Sequence, residues 1–225
     1  MYWVAKICGA SVSTNGSLVN NGSLNNGYLG VGTSGGATLL NVAGALTNNG
    51  NLNIDYSFVT AKSFVNSGTV GLVGNYSSAA SAALDVSGDT TNNGSISIAG
   101  DSEELAGAVG GTGSFSLRDA NLQFDSSVSA GQTISETGTD ALTLEQAQSF
   151  TATISGFGTG DTIDAANFLL SGTTFNFVEN SGGTGGTLTL HDASLTANIL
   201  MTGVYSNSSF TLAPDSGTGT LVKYV

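Results

Sequence analysis

The stretch Ala45–Ile54, ALTNNGNLNI, decides how the chain is read. Asn-Gly between alternating apolar segments is the strongest short signal for a β-hairpin. The same dipeptide also suits a corner between successive strands of a coil, because Asn and Gly tolerate the left-handed backbone conformation. The phrase has copies: NNGSL at Asn20–Leu24, FVNSGTVGL at Phe64–Leu72 and TTNNGSISI at Thr90–Ile98. An apolar residue precedes each Asn by two or three positions, and apolar residues follow the Gly at two and four. Taking Gly27, Gly50, Gly68, Gly94 and Gly113 as markers, the spacing is about 18 to 26 residues, the size of one coil of a repeat fold. Stacked coils place the apolar positions above one another and let the Asn side chains form hydrogen-bonded ladders. The phrase therefore predicts an all-β fold, a parallel β-solenoid (β-helix), with an antiparallel sandwich or meander as the competing arrangement.

Composition narrows the function classes. Of 225 residues, 33 are Gly and one is Pro, and no Gly-X-Y period is present, which excludes collagen. Hydrophobic residues make up 40%, too many for a disordered chain. Charged residues make up only 9%, so Asn, Ser, Thr and Gly must cover the surface. The net charge is −12, and all of the 16 acids except Asp55 lie from Asp85 onward. Nucleic acid needs clustered Lys and Arg, and four scattered cations do not supply them. Anionic lipid headgroups are disfavoured for the same reason.

Cys8 is the single cysteine, so an internal disulfide and a Cys-based metal site are ruled out. No stretch has the length of a transmembrane helix, and membrane insertion is not expected. The opening MYWVAKICGASVSTNG is broken by Lys6 and makes a poor signal peptide, which suggests part of a longer chain.

Between the Asn-Gly phrases run short segments of period-2 alternation, typical of half-buried strands. Residues 1–10 are read as a lead-in, 11–125 as the solenoid and 126–225 as a β-rich C-terminal cap. At about 4.8 Å per coil, five or six coils give a rod on the order of 25 Å long. An open sheet edge invites aggregation, so a cap is required at the far end. Helical signal is scarce. Asp101–Gly110 (DSEELAGAVG) is compatible with one or two turns, and Asp140–Thr151 is read as strand, turn and strand.

The C-terminal half carries phrases in a fixed order: VSAGQTI at Val128–Ile134, FTATISGFGTGDTID at Phe150–Asp164, GGTLTLHD at Gly185–Asp192, TANI at Thr196–Ile199 and GTLV at Gly219–Val222. This order resembles the C-terminal module of large proteobacterial β-strand-repeat surface or secreted proteins of the rhizobial type. The resemblance implies an exported, adhesin-like protein, extracellular or at the cell surface. GGTGGTLTL at Gly182–Leu190 echoes the calcium-binding nonapeptide repeat, but Thr187 stands where that repeat has Asp.

Candidate chemistry is sparse. Asp161 and Asp164 in GTGDTID have a spacing compatible with a calcium site, although an Asp at such a turn also serves as a local cap. His191 beside Asp192 lacks a nucleophile elbow and is read as an exposed turn histidine. A glycosidase needs two carboxylates facing one cleft, for which Asp85 with Asp89 and Asp119 with Asp125 are the available pairs. A lyase acting on uronates needs cations, and Lys62 is nearly alone. Sugar-stacking aromatics are thin: Trp3, Tyr56 and Tyr76. The sequons at Asn15, Asn21, Asn75, Asn93 and Asn207 follow from an Asn- and Ser-rich composition.

The expectation is a non-enzymatic structural or adhesive segment without a cofactor, a rigid rod displaying or spacing adhesive surface. Its partners would be a host or environmental surface, polysaccharide, or another copy of itself. The alternatives are a carbohydrate-active β-helix and a calcium-stabilised type I secretion module.

Overall fold

The computed structural model describes residues 4–7, 11–27, 39–74 and 81–225, so Trp3, Cys8, Asn75 and Tyr76 lie outside the described residues. Short strands dominate; two single 3-10 turns, Ala147–Ser149 and Asn207–Ser209, are the helical elements among the described residues. The chain is all-β, and its strands form two sheets in which parallel pairing prevails.

The stretch Ala45–Ile54 is not a hairpin. Strand Leu39–Asn48 belongs to one sheet and Asn51–Asp55 to the other, and each pairs in parallel with strands from neighbouring passes of the chain. The first sheet runs through Val4–Ile7, Ser23–Gly27, Asn51–Asp55, Thr69–Val73, Ser95–Ala99, Ser114–Arg118, Thr133–Thr137 and Thr153–Ser155. The second continues from Leu39–Asn48 and Phe58–Asn66 to Asn121–Phe124, Ala141–Leu144 and Thr162–Ala165. Pairing is in register, so inward positions form rows. Leu52, Val70, Ile96, Phe115, Ile134 and Ile154 make one row, and Val86, Leu105, Phe124 and Leu144 another. Each is at most 3% exposed, and burying a side chain of this size contributes about 1.5–3 kcal/mol.

The corner phrase supplies the register. Asn48 donates to the Asn66 Oδ1 at 2.9 Å, Asn66 to the Asn92 Oδ1 at 2.8 Å, and Asn20 to the Asn48 Oδ1 at 2.7 Å. Asn48, Asn66 and Asn92 are fully buried, so this amide row is internal. The phrase beneath Asn48–Gly50 is Asn20–Gly22, 28 residues earlier, rather than the one that ends at Gly27. The glycines are needed for a different reason than a left-handed backbone, which Gly50, Gly68 and Gly94 do not adopt. A Cβ on Gly50 would overlap the Gly22 carbonyl oxygen, one on Gly68 that of Gly50, and one on Gly94 that of Gly68.

One pass breaks the phrase. The pairing of Thr91 with Gly110 sets Gly111 beside Asn92, so the amide is missing there. Gln132 replaces it from the following pass. Its Nε2 donates to the Asn92 and Gly110 carbonyls at 2.7 and 2.9 Å, and its Oε1 accepts from Asn92 at 3.1 Å.

One expectation changes. Ser102–Leu105 is strand, paired with Asn121–Phe124, and not the start of a helix; the ladder and the burial of Leu105 outweigh the capping signal. Parallel pairing runs past residue 125, through Thr162–Ala165 on the second sheet and, on the first, to Thr153–Ser155 paired with the end of Leu195–Thr202. Antiparallel strands follow: Thr174–Glu179, Gly185–Asp192 and Leu195–Thr202 on the first sheet, Phe210–Pro214 and Thr220–Tyr224 on the second. Phe157, Phe175, Phe177, Tyr205, Phe210 and Tyr224 pack there, with ring centroids between 5.3 and 6.5 Å. The outermost strands are blunted. Asn207 Oδ1 accepts from the Phe177 amide at 2.9 Å, and Pro214 ends the other edge strand.

Gly68→Ala should lower stability by about 3 kcal/mol, since the added methyl overlaps backbone and not a movable side chain. Gly182→Ala, which meets nothing closer than ordinary contact, should change stability by less than about 1 kcal/mol. Denaturant unfolding of both variants measures the difference.

Candidate functional site

Asp161 lies at a second corner that repeats along the chain. Asp101, Asp140 and Asp161 are buried there. Asp140 Oδ1 accepts from the Ala120 amide at 2.8 Å and its Oδ2 from Thr137 at 2.7 Å. Asp161 does the same with Asp140 and Gly158, both at 2.8 Å. Asp101 accepts from its neighbour Ser102 and from Ala82 one pass earlier. Each carboxylate thus closes its own turn and ties it to the preceding pass. Burial raises the Asp140 pKa, while the two amides work against that rise.

Asp164 is three residues on, and side chains alternate along the strand Thr162–Ala165. It therefore faces outward while Asp161 faces in, and the structure does not bring the two together. Asp164 Oδ1 has no hydrogen-bond partner, and its pKa is pushed up to about 6, first by desolvation and then by Asp215 and Glu145. No group of three or more His, Cys, Asp or Glu arranged to hold a metal is found among the described residues.

The outer face of the second sheet does gather acids. In register, Asp85, Glu104, Gln123, Thr143 and Asp164 follow one another. Glu104 has its pKa raised by Asp125, through charge and a shared hydrogen bond, then by slight burial, Asp85 and Glu145. Two shallow depressions of about 420 and 350 Å³ meet at Asp85; Lys62 and Thr60 line the first, Ser102 and Glu104 the second. The pairs read from the sequence are placed differently. Asp89 accepts from the Ala108 amide at 3.0 Å and Asp119 from Thr139 at 3.1 Å, so each ties its pass to the following one. Asp85 and Asp125 belong to the acidic face. Tyr56 sits at a turn with φ of 49°.

His191 is exposed on the strand Gly185–Asp192, 3.2 Å from the Thr196 hydroxyl, while Asp192 points inward and accepts from the Leu169 amide at 2.8 Å. The two side chains lie on opposite faces. Thr187, at the position of the absent calcium ligand, is paired with Val178 and Leu200 in the antiparallel sheet.

The outer face of the first sheet is chemically unlike the second. Ser95, Ser114, Thr133 and Thr153 form one column, and Ser97, Ser116, Ser135 and Ser155 the next. Asn51 and Thr69 extend the first column, joined by a 2.6 Å hydrogen bond. This is a flat band of hydroxyls, with neighbouring strands about 4.8 Å apart.

Two acids are buried in rows of otherwise apolar positions. Glu103 stands in an inward row with Leu122, Leu142 and Ile163, and Glu136 continues the row Ile54, Leu72, Ile98, Leu117. The signal was present: in SISIA, SFSLR and TISET the fourth position is Ile98, Leu117 and Glu136. Burial raises the Glu103 pKa well above its usual range despite a 3.2 Å hydrogen bond from the Leu84 amide, and Asp101, Asp85 and Glu104 add to the rise.

Asp161→Asn should cost about 2 kcal/mol, because one of two amide-accepting oxygens becomes a donor. The same loss is expected in calcium and in chelator, since those amides already engage both oxygens; thermal melts in each buffer check this. No protein-family model matches the chain, and no curated protein is similar to it.

Proposed function

We propose that the chain is a parallel β-solenoid rod with an antiparallel cap, a structural or adhesive segment of an exported surface protein. The observation that carries this reading is the register: from Asn51 to Ser155, each pass adds one strand to the first sheet and one or two to the second. Eight or so passes at the strand spacing give a rod of roughly 40 Å. Such a stack is stabilised along its length by main-chain ladders, to which the internal amide row adds from Asn20 to Gln132.

The hydroxyl band of the first sheet is the adhesive face in this reading. Its Ser and Thr columns are neutral, flat and repeated, and they offer both donors and acceptors to a polysaccharide surface. The acidic second sheet keeps rods apart and disfavours anionic polymers. The two blunted edge strands prevent pairing of caps, which leaves the faces as the contact surfaces.

Retention of the purified chain on insoluble neutral polysaccharide tests this. Replacing Ser97 and Ser116 together by Lys should weaken retention about tenfold, equivalent to about 1.4 kcal/mol. Replacing Asp85 and Glu104 by Ser should leave retention unchanged. Equal retention of the Lys variant and the wild type would overturn the assignment of that face, and a compact rather than elongated scattering profile would overturn the rod.

A further inference from the structure

Glu136 occupies the fifth place in the row Ile54, Leu72, Ile98, Leu117. It is 2% exposed, and neither carboxyl oxygen has a hydrogen-bond partner. A carboxylate in that position is deprived of water without compensation, whereas a neutral carboxyl approximates the size of the Leu it replaces. The next place is Gly156, with φ of +85°, where a Cβ would overlap the Glu136 carbonyl oxygen. No side chain therefore continues the row.

The neighbours of Glu136 define what its charge would do. Asp140 and Asp161 face it from the corner turns, and both raise its pKa after desolvation. From the antiparallel layer comes Tyr205, whose own pKa is raised by burial, Glu136, Tyr224 and Asp161. On the adjoining strand Leu117 is apolar, and Arg118 is exposed. Thr153–Ser155 carries no ionisable side chain, and on Thr162–Ala165 the inward residues are Ile163 and Ala165, with Asp164 turned out. No cation faces Glu136 from these elements. Tyr205 donates to the Phe157 carbonyl at 2.9 Å and packs on Phe177, Phe210 and Tyr224, so it adds to the ladders that join Leu195–Thr202 to Thr153–Ser155 and Thr220–Tyr224 to Thr162–Ala165.

We propose that Glu136 is a proton-operated latch: with its carboxyl neutral, the antiparallel layer stays seated on the parallel stack through its two end ladders and Tyr205, and loss of the proton loosens that layer while the stack persists. Burial and the neighbouring acids push the Glu136 pKa from 4.5 up to about 8. The folded-state value is raised, so the unfolded chain releases its proton first. The Glu136 contribution to stability is fully present below about pH 4.5 and is lost as pH rises through about 8, opposite in sign to that of a carboxylate whose pKa folding lowers. The passes remote from Glu136 are less affected: their Asn row is uncharged, and of their buried acids Glu103 keeps the bond from Leu84 while Asp101 accepts from Ser102 and Ala82.

Hydrogen exchange on the full chain, at about pH 6 and about pH 9.5 and corrected for intrinsic rates, tests the latch. In the wild type, amides of Gly185–Asp192 and Leu195–Thr202 should lose at least about tenfold of their protection at the higher pH, while those of Asn51–Asp55 and Thr69–Val73 do not. Glu136→Gln should abolish the selective loss, and Glu103→Gln should retain it. Uniform loss across both regions, or the same loss in Glu136→Gln, would overturn the proposal. A direct carboxyl titration of wild-type Glu136 by NMR gives a second reading independent of any variant; a midpoint near the ordinary 4.5 would also overturn it.

Discussion

A buried primary amide is stable only when its donors and acceptor are all engaged, and the row of Asn side chains meets that demand by stacking. Asn66 accepts from Asn48, donates to Asn92 and also to the Ser95 carbonyl, and receives the Gly68 amide. This satisfaction is available at one register only, because a shift of one residue turns the amide outward and brings an apolar side chain to the surface. The glycine two positions later adds a steric condition to the chemical one: the next pass approaches so closely that no other residue fits. Everything else follows from this alignment: the apolar rows within, the hydroxyl columns on one face and the acids on the other.

The repair by Gln132 shows that the constraint lies in the amide and not in the phrase. At the pass where Gly111 replaces Asn, a longer amide reaches in from the following pass and completes the bonds of Asn92. The second corner reaches the same end with carboxylates. Asp140 and Asp161 each accept one amide from their own turn and one from the preceding pass, so one side chain sets both turn shape and stacking. These corner acids are matched to donors. The interior acids Glu103 and Glu136 occupy positions built for aliphatic side chains, and their pKa values are raised for that reason.

The repeated phrase NNG made the strand class and the Asn row legible, because the phrase and its flanks recur together. The reason for its glycines was not legible, since the same residue serves a positive φ or a close approach and only the neighbouring pass distinguishes them. The point where parallel pairing gives way was also hidden: TISET, ALTL and TIDA alternate as earlier strands do, but the phrase between them is lost. Asp161 was visible as a turn residue and Asp164 as its neighbour, yet the parity that separates their faces needs the strand boundary. Glu136 could have been found by aligning SISIA, SFSLR and TISET, where an acid falls on an apolar position.

The amide row also has a direction. Asn20, Asn48, Asn66 and Asn92 each donate toward the next pass, so their dipoles point the same way along the stack. Hydrogen bonds arranged head to tail polarise one another, and each is strengthened by its neighbours. Breaking an inner link therefore weakens those on both sides of it, whereas breaking the link from Asn20 to Asn48 weakens only the side toward Asn66. The row gives the stack a vectorial cohesion, strongest in its middle, and makes the corner at Asn48 and Asn66 the place where a single lost amide travels furthest.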